Sequence, residues 1–150
     1  MDDFDKRILR VIQSQPDLTI REIGAAVGLS HSPCWKRLQA LQARGILRGK
    51  AYVLDREALG LDVRAWCIVK LKSHSNDALA QFERAARAMP EVISCAILSG
   101  DDDYMLEIVT RNLRSFEVLI KDSLVRLPGV AQVTSRIALR EVKSNGPLPL

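Results

Sequence analysis

The sequence has no apolar run that approaches the roughly 18 residues needed to cross a membrane. We therefore expect no membrane partner. The first residues, Met1 to Lys6, are acidic and polar, unlike the basic and apolar start of a secretory signal peptide. Hydrophobic residues make up 47% of the chain and charged residues 27%, a balance typical of a soluble globular protein. Together these features predict a cytoplasmic protein.

Cysteine and histidine are both scarce. Cys34, Cys67 and Cys95 are odd in number, far apart and set in apolar segments. We interpret them as small core residues in a reducing compartment. His31 and Cys34 form an H-x-x-C pair, but no second pair completes a zinc site. The sequence predicts no metal and no cofactor.

The excess positive charge is confined to the first third of the chain. Residues 1–50 contain nine Lys or Arg and five Asp or Glu, whereas residues 51–150 contain thirteen of each class. A basic module joined to a neutral one indicates that one half contacts a polyanion while the other has a different task. DNA is the polyanion that we expect.

Three short helices are predicted in residues 1–50, which we assign to a DNA-binding domain. Thr19 and Glu22 have the spacing of a capping box at the start of the second helix. Gly28 supplies the left-handed residue that a tight turn needs, and Ser30 is a good N-cap for the third helix. Two helices joined by such a turn match the helix-turn-helix signature.

The third helix makes the prediction specific to individual residues. If Cys34, Leu38 and Leu41 face the core, an advance of about 100° per residue defines an outward arc. That arc contains Ser32, Lys36, Gln39 and Ala43. We expect Lys36 and Gln39 to read base edges, with Ser32 reaching a base or a phosphate.

Other residues complete the expected DNA-contacting set. Trp35, on the shoulder of the arc, either packs against the second helix or contacts a thymine methyl group or the sugar backbone. A bare helical hairpin occurs in many proteins, but residues 18–50 carry six basic side chains against one acid, which favours DNA. The remaining expected contacts, mostly to phosphates, are Ser30, Arg37, Arg44, Arg48 and Lys50.

Residues 63–143 predict a ferredoxin-like domain, so that the fold class is α+β. Strand-like and helical segments follow one another in the order strand, helix, strand, strand, helix, strand. The predicted strands are Val63–Lys72, Val92–Ser99, Tyr104–Thr110 and Val130–Lys143. Residues 45–54 read as a strand or wing that leaves the helices, and we assign residues 51–62 to a strand and linker between the two domains. Residues 144–150 form a C-terminal tail.

The predicted sheet is apolar on both faces. In its first strand, Ala65, Cys67 and Val69 share one face, while Trp66 and Ile68 lie on the other. Because helices cover one face only, the second face needs another cover, and the simplest cover is a second copy of the chain. A homodimer also suits a helix-turn-helix protein, which pairs two half-sites.

The loop over residues 99–104 contains three consecutive aspartates. It reads either as a solvated turn or as a place that captures a ligand ammonium group or a metal ion. The acids lack the alternating spacing of a calcium loop, which makes metal the weaker interpretation. They are also not paired with a nucleophile, and His74, the only histidine of this half, lies in a polar loop. We therefore do not expect an enzyme.

A series of short motifs runs in order through residues 2–143. They are Asp5-x-x-Ile8-Leu9, Val27-Gly28-Leu29-Ser30, Lys36-Arg37-Leu38-x-x-Leu41, Gly45-Ile46-Leu47, Leu54-Asp55-x-x-Ala58-Leu59-Gly60, Gly100-Asp101-Asp102-Asp103-Tyr104-Met105-Leu106 and Leu139-x-x-Val142-Lys143. In combination these motifs resemble the Lrp/AsnC (feast/famine) family of transcriptional regulators.

The resemblance implies a winged or plain helix-turn-helix and a C-terminal RAM domain, the amino-acid-sensing module of that family. It also implies dimers through the sheet face, assembly to tetramers or octamers, and an amino-acid effector bound between dimers. The effector positions that it implies in this chain are Gly100, Asp101, Asp103, Tyr104 and Ser135. Where many relatives have Thr-x-Thr, this chain has Val133-Thr134-Ser135, so one hydroxyl is missing or displaced.

These observations predict a sequence-specific DNA-binding transcriptional regulator whose operator binding is modulated by a small amino acid. The alternative is an architectural protein that compacts DNA without a strong sequence preference. Competition between specific and random DNA separates the two functions, since an architectural protein discriminates little between them.

Overall fold

The computed structural model describes residues 1–144 and 146–150. They form two compact units, of which the first comprises Met1–Val53 with Val142–Leu150 and the second Leu54–Glu141. The boundary therefore lies inside the segment predicted as a linker. The end of the chain groups with the first unit.

The first unit contains three helices. They are α1 (Asp3–Ser14), α2 (Ile20–Val27) and α3 (His31–Ala43). A capping box begins α1, where the Asp2 carboxylate accepts a hydrogen bond from the Asp5 main-chain N–H at 2.9 Å. The predicted capping box of α2 is present, since the Thr19 N–H donates to the Glu22 carboxylate at 2.7 Å. Gly28 ends α2 in the left-handed region, at φ +77°.

A buried apolar core holds these helices together. Ile8 of α1, Val27 of α2, and Cys34 and Leu41 of α3 are each at most 1% exposed. Leu38 is half-buried against the same cluster. Burying a large aliphatic side chain stabilises the fold by about 1.5–3 kcal/mol. The inward stripe predicted for α3 is therefore confirmed, and the opposite side of that helix is left to solvent.

The predicted strand or wing over residues 45–54 is wrong. The structure describes every residue between α3 and Val63, and none of them belongs to a strand. Tyr52 is 97% exposed and Val53 79% exposed. A strand needs a neighbour for its main-chain N–H and C=O groups, and within this unit no described segment pairs with this one. Alternating apolar residues alone could not supply that partner.

The C-terminal tail hydrogen-bonds to α1. The Leu148 N–H donates to the side-chain oxygen of Gln13 at 2.6 Å. The Arg10 guanidinium donates to the main-chain oxygen of Leu150, with its Nε atom at 3.0 Å. Residues 142–150 are thus part of the first unit, a grouping that the local sequence did not reveal.

The second unit has the predicted order of elements. They are β1 (Val63–Leu71), α4 (Asn76–Arg87), β2 (Val92–Ile97), β3 (Tyr104–Thr110), α5 (Leu113–Asp122), a 3-10 turn (Leu124–Arg126) and β4 (Val130–Ile137). The strands form one antiparallel sheet in the order β2-β3-β1-β4, so the ferredoxin-like prediction is confirmed. β4 ends at Ile137, which pairs with Ala65, instead of at the predicted Lys143. Its neighbour β1 begins only two residues before Ala65, at Val63, so it offers no partner for the last part of the predicted strand.

Both helices cover the same face of this sheet. Ala65, Cys67 and Val69 are fully buried there, in one cluster with Phe82 of α4 and Phe116 of α5. The other face carries half-buried apolar side chains. They are Trp66, Ile68 and Met105. We call it the open face of the sheet.

Cys95 corrects the prediction that all three cysteines are core residues. Cys34 and Cys67 are buried, whereas Cys95 is exposed. Cys95 lies on β2, which is an edge strand of the sheet. Ile97 on the same strand is 70% exposed, so the helices leave this end of β2 uncovered. Apolar periodicity identifies a strand but does not tell whether it is central or at an edge.

The described part of the chain contains neither a membrane-spanning helix nor a cluster of metal ligands. Among the helices in that part of the chain, none is long and apolar enough to span a membrane. The same residues contain no group of three or more His, Cys, Asp or Glu side chains placed to hold a metal ion.

The packing of α2 predicts the effect of one substitution. Gly24→Ala would normally stabilise a helix by about 0.5–1 kcal/mol. Here a Cβ atom at residue 24 would lie 2.6 Å from the main-chain oxygen of Leu29, which cannot rotate away. We therefore expect Gly24→Ala to lower the free energy of unfolding by about 1–3 kcal/mol. Urea denaturation in a Trp66→Phe background, in which Trp35 alone reports on the first unit, measures this change.

Ala25→Gly is the matched control for Gly24→Ala. Ala25 is exposed on the same helix, so its replacement removes only helix propensity and should lower stability by about 0.5–1 kcal/mol. A Gly24→Ala protein more stable than the wild type would show that the α2–α3 turn adjusts freely.

Candidate DNA interface and ligand site

The outward face of α3 has the composition and exposure of a DNA-reading surface. All four residues of the predicted arc are exposed, whereas Cys34 and Leu41 on the other side are buried. The arc comprises Ser32, Lys36, Gln39 and Ala43. Lys36 and Gln39 lie three residues apart and therefore point in nearly the same direction. Lysine and glutamine can bind guanine and adenine edges in the major groove.

Exposed groups with affinity for phosphate surround this arc. Arg44, Arg48 and Lys50 follow α3 and are all exposed. At the start of the helix, Ser30 occupies the N-cap position, and its hydroxyl makes no capping hydrogen bond. Main-chain N–H groups at such a helix start favour anions. Trp35 is 45% exposed, so part of its ring is available to a ligand.

Arg37 makes contacts within the first unit that the sequence did not predict. Its guanidinium binds the carboxylates of Asp2 at 2.6 Å and Asp5 at 2.8 Å, and lies 5.4 Å from the centre of the Phe4 ring. The pKa of Asp2 is lowered, first by the Asp5 main-chain N–H and then by Arg37. Arg37 thus joins α3 to the start of α1. A phosphate contact of Arg37, which stays a prediction, would compete with these two ion pairs.

Sequence reasoning missed Arg21 as a candidate phosphate contact. Arg21 lies in the first turn of α2 and is exposed. In helix-turn-helix proteins the helix before the recognition helix crosses the DNA backbone, which is where a cation is useful. The charge count included Arg21, but the count gave no reason to select it; its exposed position in the first turn of the helix before α3 does.

In the second unit, Asp103 is already engaged by its own chain. One carboxylate oxygen accepts the Leu71 main-chain N–H at 2.6 Å, and the other lies 2.7 Å from the Nε2 atom of His74. These contacts lower the pKa of Asp103, the Leu71 N–H most strongly. Asp103 therefore fastens the loop before β3 to the end of β1. Gly100 and Asp101, in the same loop, are exposed.

Tyr104 and Ser135 lie apart within a single chain. Tyr104 begins β3, Ser135 belongs to β4, and β1 separates these two strands. The Ser135 hydroxyl lies 3.4 Å from the Cys67 sulfur. The Tyr104 ring is buried with its centre 4.6 Å from that of Phe82. One chain does not bring the implied effector positions together.

A cavity of about 310 Å³ lies between α4 and β2. Its lining residues are Glu83, Arg87, Cys95, Ile97 and Tyr104. We call it the α4–β2 pocket. Of these residues the sequence singled out only Tyr104 as a ligand position. The Glu83 and Arg87 pair, at i and i+4, has the spacing of an ordinary surface ion pair, so the sequence gave no reason to select it.

Comparison with protein families agrees with this architecture. Residues 1–48 match a model described as a winged helix-turn-helix DNA-binding domain, and residues 64–148 match the Lrp/AsnC ligand-binding domain. The trihelical unit and the ferredoxin-like unit therefore define a regulator that joins a DNA-binding domain to a ligand-binding domain.

Characterised relatives extend over almost the whole chain. The DNA-binding transcriptional activator DecR of Escherichia coli K12 is 31% identical over 150 residues, which cover 100% of this chain and 99% of the relative. The leucine-responsive regulatory protein of Rhizobium meliloti is 34% identical over 143 residues, 95% of this chain and 92% of the relative.

Solved structures show the same fold. A transcriptional regulator from Neisseria meningitidis in complex with L-Met superimposes with a TM-score of 0.94 at 35% identity, covering 99% of this chain and 96% of the other. An AsnC family transcriptional regulator from Agrobacterium tumefaciens superimposes with a TM-score of 0.92 at 30% identity, covering 99% of this chain and 97% of the other. The chain belongs to the Lrp/AsnC family of DNA-binding transcriptional regulators, which are not enzymes.

The contacts of Arg37 lead to a prediction that separates folding from DNA binding. Arg37→Gln should lower the melting temperature of the first unit, because it breaks the contact between α3 and α1. It should leave the dependence of DNA affinity on salt unchanged. Arg48→Gln is the comparison: loss of one phosphate contact should reduce the slope of log K against log salt concentration by about 1.

Acidic pH provides an internal control for the Arg37 variant. Because the pKa of Asp2 is lowered in the folded chain, its contribution to stability is present above the ordinary value of 3.8 and is lost as the pH falls below it. The difference in melting temperature between wild type and Arg37→Gln should narrow over that range. If Arg37→Gln instead reduced the salt slope at an unchanged melting temperature, Arg37 would be a phosphate contact.

Proposed function

We propose that this protein is a sequence-specific DNA-binding transcriptional regulator whose operator binding is modulated by a small amino acid. The observation that carries the proposal is the exposed arc of α3, with Lys36 and Gln39 at its centre, on a helix whose other side is buried. A surface held in this way can enter a groove without local refolding, and its side chains are polar enough to discriminate between bases.

In this proposal the contacts with DNA divide into two classes. Lys36 and Gln39 read base edges, and Ser32 reaches a base or a phosphate. The phosphate contacts fix the register of the protein on the duplex. They come from Arg21, Ser30, Arg44, Arg48 and Lys50, with the exposed part of Trp35 against the sugar backbone or a thymine methyl group.

The open face of the sheet supports a homodimer. Trp66, Ile68 and Met105 leave apolar area on this face that a second copy would cover. The charge of Arg64 on the same face is already paired with Glu107, at 2.5 Å. A twofold dimer of this kind presents two α3 helices to two half-sites. We propose that such dimers assemble further, to tetramers or octamers.

The proposed amino-acid effector acts through this assembly. The L-Met complex of the Neisseria regulator and the match to the ligand-binding domain support an amino acid as ligand. Because Ser135 is separated from Tyr104 within one chain, we propose that the family's effector positions meet between chains. Those positions are Gly100, Asp101, Asp103, Tyr104 and Ser135. An effector that binds one assembly state more tightly shifts operator occupancy.

Replacing the centre of the arc tests the DNA interface. Lys36→Ala combined with Gln39→Ala should abolish the preference for an operator selected from random duplexes, while the protein stays folded and assembled. Loss of a bidentate base contact is expected to remove about 1–3 kcal/mol of discrimination. Competition gel shifts with operator and random DNA measure the preference, and circular dichroism verifies the fold.

The matched control is Lys6→Ala combined with Gln15→Ala. It removes the same two residue types from exposed positions of the first unit outside α2 and α3, and should retain the preference. Equal preference in both double variants would disprove the assignment of Lys36 and Gln39. A wild-type protein that selects no sequence at all would favour the architectural function.

A thermal-shift screen with the twenty amino acids tests the effector. A ligand that binds only the folded protein raises the melting temperature, by an amount set by its concentration relative to Kd. We expect L-methionine to be among the amino acids that do so, and expect it to change the amount of operator shifted in a gel. A flat screen, with operator binding unaffected by every amino acid, would contradict the regulatory part of the proposal.

A further inference from the structure

The α4–β2 pocket combines two opposite charges with an apolar wall. Glu83 and Arg87 lie one turn apart on α4, and Cys95 and Ile97 lie on β2 across the cavity. The hydroxyl of Tyr104 reaches the same space from β3. The volume of about 310 Å³ is at the lower end of the range for small-molecule sites, which suits a ligand of a few heavy atoms.

The two charges are held differently. The Glu83 carboxylate accepts a hydrogen bond from the Tyr104 hydroxyl at 3.1 Å and lies 3.1 Å from the Arg87 guanidinium. The side chain of Glu83 is 29% exposed and that of Arg87 is 74% exposed. Burial and the neighbouring Glu83 raise the pKa of Tyr104 to about 12, so its hydroxyl remains a donor at neutral pH. The pocket thus presents an anion positioned by Tyr104 and an exposed cation that pairs with this anion.

The apolar wall is open to water. Ile97 is 70% exposed although it lies on the helix-bearing side of the sheet, where it pairs with the buried Tyr104. Cys95 beside it is also exposed. An apolar group that entered the cavity would remove this area from water, at about 25 cal/mol per Å².

We propose that the α4–β2 pocket binds one small apolar α-amino acid within a single chain, with its ammonium group on Glu83 and its carboxylate on Arg87. The side chain of the ligand lies against Ile97 and Cys95. A zwitterion can exchange the Glu83–Arg87 ion pair for two ion pairs of its own while its side chain covers the wall, whereas an anion or a cation alone would leave one of the two charges unpaired. The ligand class rests on the proposed function. The site is separate from the effector positions in the 100–103 loop and on β4, and shares only Tyr104 with them.

The thiol of Cys95 allows occupancy of the pocket to be measured directly. Cys34 and Cys67 are buried and Cys95 is exposed, so Cys95 should react first with a small alkylating reagent. Although the residue is exposed, neighbouring side chains partly desolvate the Cys95 thiol and, with the Glu83 carboxylate, raise its pKa. The reaction is therefore best followed at mildly alkaline pH, with Cys95→Ser to give the background. We expect L-methionine to slow the alkylation of Cys95 in the full-length protein, in a saturable manner.

Two modified probes identify the charged contacts. N-acetyl-L-methionine lacks the ammonium group and L-methioninamide lacks the carboxylate, and each should protect Cys95 at about tenfold higher concentration than L-methionine, as expected for losing one charge-assisted hydrogen bond. Glu83→Gln should weaken protection by L-methionine but not by N-acetyl-L-methionine. Arg87→Gln should weaken protection by L-methionine but not by L-methioninamide.

Arg84→Gln is the matched control. Arg84 is exposed in the last turn of α4 and does not line the pocket. In this variant L-methionine should therefore protect Cys95 from alkylation as well as it does in the wild type. Equal protection in Glu83→Gln, Arg87→Gln and Arg84→Gln would overturn the assignment of the two charged contacts.

Operator gel shifts on the same samples separate this proposal from the proposed function. If L-methionine changes operator binding but never protects Cys95, the pocket assignment fails and effector regulation stands. If L-methionine protects Cys95 with the expected variant pattern but leaves operator binding unchanged, the pocket assignment stands. Methionine bound in the pocket then does not regulate operator binding. If it does neither, both proposals fail for this ligand.

Discussion

The DNA-binding unit depends above all on the burial of one side of α3. Cys34 and Leu41 are enclosed by Ile8 of α1 and by Ile23 and Val27 of α2. Since an α-helix advances about 100° per residue, fixing these side chains inward fixes the opposite arc outward. The rigid, polar outward surface of α3 is therefore a consequence of core packing. Arg37 strengthens the same arrangement from the edge, because it joins α3 to the first turn of α1.

The second unit follows from a different constraint, which is that two helices cover one face of a four-stranded sheet. The covered face buries Cys67, Val69 and Leu106 completely. The helices leave the open face and the edge strand β2 uncovered, so these are the surfaces of the unit that can bind other molecules. The open face is broad, partly apolar and suited to another copy of the chain. The edge beside α4 is narrow and carries charge, which suits a small zwitterion.

Most elements were predictable because their signals are local. The capping box of Thr19 and Glu22, the left-handed Gly28 and the alternation along β1 each act within a few residues, and all were found where they were predicted. The strand over residues 45–54 was not found, because a strand exists only with a partner. The ion pairs of Arg37 were not predicted for a related reason: its acidic partners, Asp2 and Asp5, are more than 30 residues away in the chain.

The sequence by itself determined the order of the elements, the charge of the first unit and the outward arc of α3. These properties depend on side-chain type and helical or strand period, both of which are local. Only the tertiary structure decided that Arg37 is committed to α1, that Cys95 is exposed at an edge, and that Glu83, Arg87 and Tyr104 surround one cavity. Those outcomes depend on which distant segments meet, and apolar periodicity specifies that a face is buried without specifying against what.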